Sequence, residues 1–227
     1  MARTRKLKFN RRFVVKYSII VVKKGLFIAF EGIDGSGKST QAKLITHRLS
    51  SIGASVHHTF EPTSNEIGAI IRKIIKGEQD AHQLTIASLF ASDRLDHLLN
   101  EDYGMIKHLD QGTHVISDRY YLSSYAYHSV HVDMDWVIQI NAMSALLRRP
   151  DITFYIDLPA ETAVQRMNIS RDQVDIYESL ENLKKVRENY LIAIDKIKDK
   201  ENIMILNGDT TEQSLADQIW EIVNHNL

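Results

Sequence analysis

The sequence predicts an α/β fold: a parallel sheet covered by helices on both faces. Three observations carry the prediction. Short apolar runs alternate with longer segments of helical period along most of the chain, and parallel strands need such crossovers between them. The runs read as strands buried on two faces rather than one. No internal repeat or low-complexity linker interrupts the alternation, which argues for one packed unit.

The elements follow in order from Gly25. Leu26 to Phe30 is the first apolar run, and a glycine-rich turn leads from it into a helix that carries Ala42, Ile45 and Leu49 on one face and ends near Gly53. Ser55 to Phe60 predicts a second strand, stopped by Pro62. Further strands are predicted at Thr113 to Ser117, Ile152 to Asp157 and Asn202 to Leu206. Helical period covers Leu84 to Leu109, Met134 to Leu147, Ala160 to Met167, Leu180 to Ile197 and Glu212 to Val223.

Composition narrows the function classes. At 227 residues and 44% hydrophobic content the chain can bury one substantial core. It has no cysteine, so disulfides and thiolate metal or redox chemistry are excluded, and a cytoplasmic location is the default. The stretch from Met1 to Lys24 has nine Lys/Arg and no acid, which leaves 19 basic against 29 acidic residues in the rest. Within it, Ser18 to Val22 is far shorter than the roughly 20 apolar residues of a membrane span. The Arg-rich, acid-free tail weakly resembles an organellar transit peptide. A solvated extension or an added edge strand is the favoured reading, ahead of targeting or nucleic-acid binding. The chain therefore divides into a basic extension, 1–24, and a folded unit, 25–227.

The turn after the first strand reads Gly32-Ile33-Asp34-Gly35-Ser36-Gly37-Lys38-Ser39-Thr40. The spacing Gly-x-x-x-x-Gly-Lys-Ser between a strand and a helix is that of a phosphate loop, whose backbone N–H groups and helix N-terminus face phosphate oxygens. Lys38 is placed to reach the β- and γ-phosphates of a nucleoside triphosphate and Ser39 to ligate Mg²⁺. A ligand-free glycine turn would leave Lys38 without a purpose. A regulatory GTPase needs an Asn-Lys-x-Asp base-reading motif, which the chain lacks. A single acidic domain leaves little room for the added elements of a motor ATPase, so a small-molecule kinase fits better.

Further motifs follow in order: Phe30-Glu31 ahead of the loop, Glu61-Pro62-Thr63, Ile67-Gly68 with Ile71-Arg72, Leu89-Phe90-Ala91-Ser92-Asp93-Arg94, Ser117-Asp118-Arg119-Tyr120 and Ser123-Ser124-Tyr125-Ala126-Tyr127. In this order and spacing the chain resembles the thymidylate kinases from the loop to the last helix. The resemblance implies a three-layer nucleoside-monophosphate-kinase fold with a five-stranded parallel sheet and a short lid. It also implies transfer of a phosphoryl group from ATP to dTMP with Mg²⁺, and a homodimer. It makes residues 32 to 40 the ATP site, with Ser39 and Asp34 at the metal. Glu61, Arg72, Phe90, Arg94, Arg119, Ser124 and Tyr127, with Asp34, form the dTMP site.

The chemistry of these positions agrees with that assignment. Arg119, after a strand, could bridge both phosphates bidentately, or pair with Asp118. Arg72 could hold the acceptor phosphate, or be a solvated helix arginine. Asp34 beside two polyanions needs a metal or donor to offset it. Phe90 and Arg94, four apart on a helix, could stack on a pyrimidine and donate to its O4, or Phe90 could be helix core. Ser124 aligns with a thymine-edge contact and Tyr127 with the aromatic that crowds C2′; both also read as loop-capping and core residues.

Three departures stand out. Some thymidylate kinases carry a catalytic arginine inside the loop, where this chain has Gly35. The missing charge is assigned to the lid region, to Arg171 and secondarily Arg166, with solvated lid arginines as the alternative. Phe60 replaces an arginine before Glu61-Pro62, and His128-Ser129 replaces Gln-Gly after Tyr127. His128 and His131 read as a solvated loop pair rather than a metal site. Two other functions stay open: another deoxynucleoside or nucleoside-monophosphate kinase, and a non-enzymatic ATP-binding module using the basic tail.

Overall fold

The computed structural model describes residues 24–170 and 179–227. Five strands, β1 (Phe27–Glu31), β2 (Val56–Phe60), β3 (His114–Asp118), β4 (Ile152–Asp157) and β5 (Ile203–Asn207), form one sheet in the order β2-β3-β1-β4-β5, all parallel. Ten helices lie among the described residues. They are α1 (Lys38–Ser51), α2 (Glu66–Ile75), α3 (Gln83–Leu99), α4 (Met105–Asp110), α5 (Tyr121–His128), α6 (Met134–Ile140), α7 (Ala142–Leu147), α8 (Ala160–Ser170), α9 (Leu180–Ile197) and α10 (Glu212–His225). None is long and apolar enough to cross a membrane.

Two cores sandwich the sheet. Ile28 and Phe30 of β1, with Ile116, Phe154 and Leu206, pack against Ala42, Ile45 and Leu49 of α1 and Leu215, Ile219 and Val223 of α10. Phe27 and Ala29, on the other face of β1, pack with Val115 and Tyr155 against residues of α3, α4, α5, α8 and α9. Burial on both faces explains why the strands read as continuous apolar runs.

Three strands run one residue further toward their carboxyl ends than the apolar runs predict. Glu31 pairs with Tyr155, Asp118 with Phe30 and Asn207 with Asp157. Backbone pairing needs no apolar side chain, so polar residues at this edge extend the ladder. That edge is where open α/β sheets bind ligands.

Two predicted helices are each two. The segment from Leu84 breaks after Leu99, where Asn100 leaves helical conformation and accepts from Asp102 N (3.0 Å) on its own Oδ1. The segment from Met134 breaks at Asn141, which is fully buried and donates to Val137 O (2.8 Å). The segment holding Ser124 and Tyr127 is a helix, α5, not a capping loop. The basic extension as far as residue 23, and Arg171, lie outside the described residues.

Candidate active site

Two clefts open at the carboxyl edge of the sheet on either side of the phosphate loop. The first, of about 210 Å³, is lined by Asp34, Glu61, Pro62, Ile75, Phe90, Arg94, Arg119, Tyr120, Ser123, Ser124, Tyr127 and His128. The second, of about 440 Å³, is lined by loop residues Gly35 to Thr40 with Gln41, Arg166, Met167, Gly208, Thr210, Glu212 and Leu215. The neighbours Asp34 and Gly35 thus face different clefts, which meet at the loop.

The loop's shape requires its glycines at two points. Gly37 caps α1 with φ 95°. Gly35 has φ 80°, and a Cβ there would lie 2.6 Å from Ala163 O of α8. An arginine at this position would have to displace α8. The absence of a side chain at position 35 follows from this packing.

Asp34 is the electrostatic centre. Its carboxylate takes Lys38 Nζ at 3.3 Å, Arg119 Nη2, and the Tyr127 hydroxyl at 2.8 Å, and its N–H donates to the same hydroxyl at 3.1 Å. Burial alone would raise this carboxyl, but Arg119 and Lys38 outweigh it and hold the group below the usual carboxylate range. Burial and the nearby Arg119 push the Lys38 ammonium down, against Asp34 and Asp118. Arg119 is itself held well above its ordinary value: burial opposes the charge, and Asp34 and neighbouring groups overcome it. It has φ 75°, an uncommon conformation for a non-glycine residue. Phe30 O takes its N–H (2.9 Å), Ser123 Oγ takes Nη1 (3.2 Å), and its guanidinium lies 4.9 Å from the Tyr127 ring centre.

The base end of the first cleft is a buried polar network. Arg94, 1% exposed, donates from Nε to Glu61 Oε2 (2.8 Å), from Nη2 to Ser124 Oγ (3.1 Å) and from Nη1 to Asn141 Oδ1, and its Nη2 lies 2.6 Å from Glu61 Oε2 as an ion pair. His97 meets the other Glu61 oxygen (3.1 Å) and Thr59 Oγ1 (2.7 Å). Glu61 therefore lines the cleft with both oxygens already engaged. Phe90 is half-buried at the cleft wall.

Two predicted residues lie elsewhere. Arg72 is not among the lining residues; its Nη1 donates to Pro62 O (3.2 Å) and Thr63 O, bracing the turn after β2. Arg166 sits in the second cleft and donates to Gly208 O (3.0 Å). His128 corrects an expectation outright. It is not solvated but 4% exposed, the last residue of α5, because the helix turns it inward against Phe90.

Several contributors escaped the sequence reading. Asn141 and His97 carried no signal, since their roles depend on residues 36 or more positions away. Asp118 was quoted only as a partner for Arg119. Among the described residues its Oδ1 is buried without a hydrogen-bond partner, and the group lies close enough to Lys38 to affect it. Ser39 lines the second cleft in the first turn of α1, and the Asp118 oxygen is a hard anionic group of the kind a divalent ion takes; no cluster of three or more His, Asp or Glu side chains that could hold a metal lies among the described residues. Asp34, predicted as the second ligand, is already taken up by two cations.

Glu31 was part of a motif with no role. It accepts from Tyr120 N (2.8 Å), Ser123 N (3.2 Å), the Ser123 hydroxyl and the Tyr190 hydroxyl (3.0 Å), capping α5 from β1. Burial raises its carboxyl to about 7, with Ser123 and Arg119 opposing. A raised acid binds its proton more tightly in the fold, so its contribution to stability is full below about pH 4.5 and falls as pH rises to about 7, by roughly 3 kcal/mol. Melting of Glu31→Gln and the parent chain at pH 5 and pH 8 should show the variant gaining relative stability at pH 8. A pH-independent difference would refute this.

Comparison with known proteins follows the same lines. The family model described as Thymidylate kinase matches residues 30–219. A "Probable thymidylate kinase" of Methanococcus aeolicus is 38% identical over 186 residues, 81% of this chain and 87% of that one. Proteins of the same name from Pyrococcus horikoshii (35% over 210 residues; 90% and 98%) and Methanocaldococcus jannaschii (36% over 203; 88% and 95%) are also similar.

Proposed function

The chain belongs to the thymidylate kinase family, and on that premise we propose that it transfers the γ-phosphoryl group of ATP to dTMP, giving dTDP and ADP. The observation that carries this reading is the meeting of the two clefts at Asp34 and Gly35. A monophosphate in the first and a triphosphate in the second would bring their phosphates together beside Lys38 and Arg119, as in-line transfer demands.

In this reading the loop N–H groups of residues 32 to 40 and Lys38 hold the donor phosphates. Arg119 neutralises charge on the transferring group from the acceptor side. Asp34 receives the acceptor's sugar hydroxyl or phosphate through water and keeps Arg119 aimed. Phe90 stacks on the pyrimidine, Arg94 donates to O4, and Ser124 meets the base edge. Tyr127 crowds the sugar and favours deoxyribose. Glu61 acts on substrate only by positioning Arg94. Magnesium, held by Ser39 and Asp118 with the donor phosphates, would offset the charge that accumulates during transfer.

Arg166, tethered to Gly208 in the second cleft, suits the donor's nucleoside better than its γ-phosphate, which leaves Arg171 as the lid cation. Arg72 would have to leave its carbonyls to reach the acceptor phosphate. We assign the catalytic unit to residues 25–227, as a cytoplasmic homodimer, which sedimentation would check.

A panel of acceptors with ATP and Mg²⁺ tests the reading. dTMP should give the highest kcat/KM among dTMP, dUMP, dCMP, thymidine and AMP. Preference for AMP or thymidine would replace the acceptor assignment, and no turnover of any would remove the enzymatic one.

A further inference from the structure

We propose that Glu31 is a positioning residue for phosphoryl transfer: through the Ser123 and Tyr190 hydroxyls it keeps two acceptors free for one arm of the Arg119 guanidinium. The inference rests on the kinase reading above and adds to it a residue that lines neither cleft.

Glu31 is the last residue of β1 and fully buried. Its two oxygens do different work. Oε1 takes the backbone N–H groups of Tyr120 (2.8 Å) and Ser123 (3.2 Å), which the start of α5 leaves without helical partners. Oε2 takes the Ser123 hydroxyl and the Tyr190 hydroxyl (3.0 Å), neither of which a helix end requires. Both hydroxyls lead to Arg119. Ser123 Oγ accepts Arg119 Nη1 (3.2 Å), and the Gly32 carbonyl lies within reach of the same Nη1 (3.4 Å) and of the Tyr190 hydroxyl (3.3 Å).

A hydroxyl has one hydrogen to give. While Glu31 is ionised, Ser123 gives its hydrogen to Oε2 and keeps a lone pair for Arg119. Tyr190, 2.8 Å from Ser123 Oγ, gives its hydrogen to Oε2 as well, which leaves the Gly32 carbonyl to Arg119. A protonated carboxyl, or an amide, reverses this order. Oε1 faces two N–H groups, so the added hydrogen sits on the Oε2 side and is given to one of the two hydroxyls. Ser123 Oγ then takes a second donor besides Arg119, Tyr190 turns its hydrogen to Gly32 O, and Nη1 competes for both acceptors. The negative charge that favours the Arg119 cation is lost too. Asp34 still holds Nη2, so the guanidinium stays in the cleft but its plane is less firmly set. In-line transfer is sensitive to small misplacements of this kind.

Glu31 changes form in the working range. Unlike Asp34 and Glu61 it has no ion pair among the described residues, and burial raises its carboxyl to about 7, with Ser123 and Arg119 opposing. The other titratable side chains that face it are Arg119 and Tyr120 after β3, Tyr125 of α5, Tyr155 of β4 and Tyr190 of α9. All five are raised, so Arg119 stays charged and the tyrosines stay neutral through pH 8. Glu31 alone among them titrates near neutrality.

The test compares Glu31→Gln with the parent in the full chain. At pH 8, where the parent carboxyl is ionised, the variant's kcat at saturating ATP and dTMP should be about tenfold lower, with KM for dTMP within about threefold. At pH 6 the parent is itself protonated, and the two kcat values should converge to within about twofold. Ionisation of the substrates is common to both proteins and cancels in the ratio. A residue that only caps α5 predicts the opposite, since the variant gains relative stability at pH 8. Ser123→Ala, which keeps the charge and the backbone cap, should lose a similar factor at pH 8. Parent-like kcat at pH 8 in either variant, or a Glu31→Gln ratio that does not change with pH, overturns the proposal. A second readout needs no turnover. The side-chain ¹⁵N resonances of Arg119 should titrate between pH 6 and pH 8 in the parent and stay flat in Glu31→Gln; the same response in both also overturns it. Failure of the parent to phosphorylate any monophosphate would instead refute the kinase reading, and the Arg119 resonances would still report on the link to Glu31.

Discussion

Arg119→Ala is expected to lower kcat by about 10³, since a cation on the transferring phosphoryl group is worth that much or more in comparable enzymes. The physical basis is convergence. One guanidinium bridges Asp34, Ser123 and the Gly32 carbonyl at the point where the two clefts meet. Its backbone sits at φ 75°, held there by Phe30 O and by the Ser117 hydroxyl on its carbonyl. Lysine should not rescue the loss, because a point charge cannot bridge two phosphates as a planar fork does. Stopped assays at saturating ATP and dTMP, with melting temperature as a folding control, would measure the effect. A kcat within tenfold of the parent would show that Arg119 is structural.

Glu61→Ala is expected to cost about 3–5 kcal/mol of folding stability, the usual penalty for stranding one member of a buried ion pair. Arg94 would keep Ser124 and Asn141 but lose its counter-charge at a site 1% exposed. His97 would lose a partner as well. Denaturant unfolding reads this directly. The double variant Glu61→Leu/Arg94→Met should recover much of the loss, because an apolar pair leaves no charge uncompensated, while base recognition is lost. A double variant less stable than the single one would mean that the network stabilises more than it costs.

How far the site is legible in sequence depends on the range of the interactions that make it. The phosphate loop is local: eight residues, three of them glycines at positive φ, a conformation that side chains rarely adopt, announce themselves by spacing. Arg94 and Phe90 share one face of α3 and are equally readable. Asn141 carries no such mark. It breaks a predicted helix and receives Arg94 from 47 residues away, and only the fold joins the two facts. Glu31 was passed over because the carboxylate of a strand-end glutamate has no meaning until α5, with Tyr120 and Ser123, is brought to it.

The sequence by itself determined the five strands and their alternation with helical segments, the doubly covered parallel sheet, the phosphate loop and the family. Each rests on periodicity or spacing within a few tens of residues, where chain geometry fixes what can meet. Tertiary structure alone decided which polar groups are already spent: that Glu61 and Asp34 are paired, that Arg72 braces a turn, that an Asp118 oxygen is buried with no partner among the described residues, and that His128 is turned inward against Phe90. Whether a buried donor or acceptor is free depends on every group packed around it, and those groups come from strands and helices far apart in the chain.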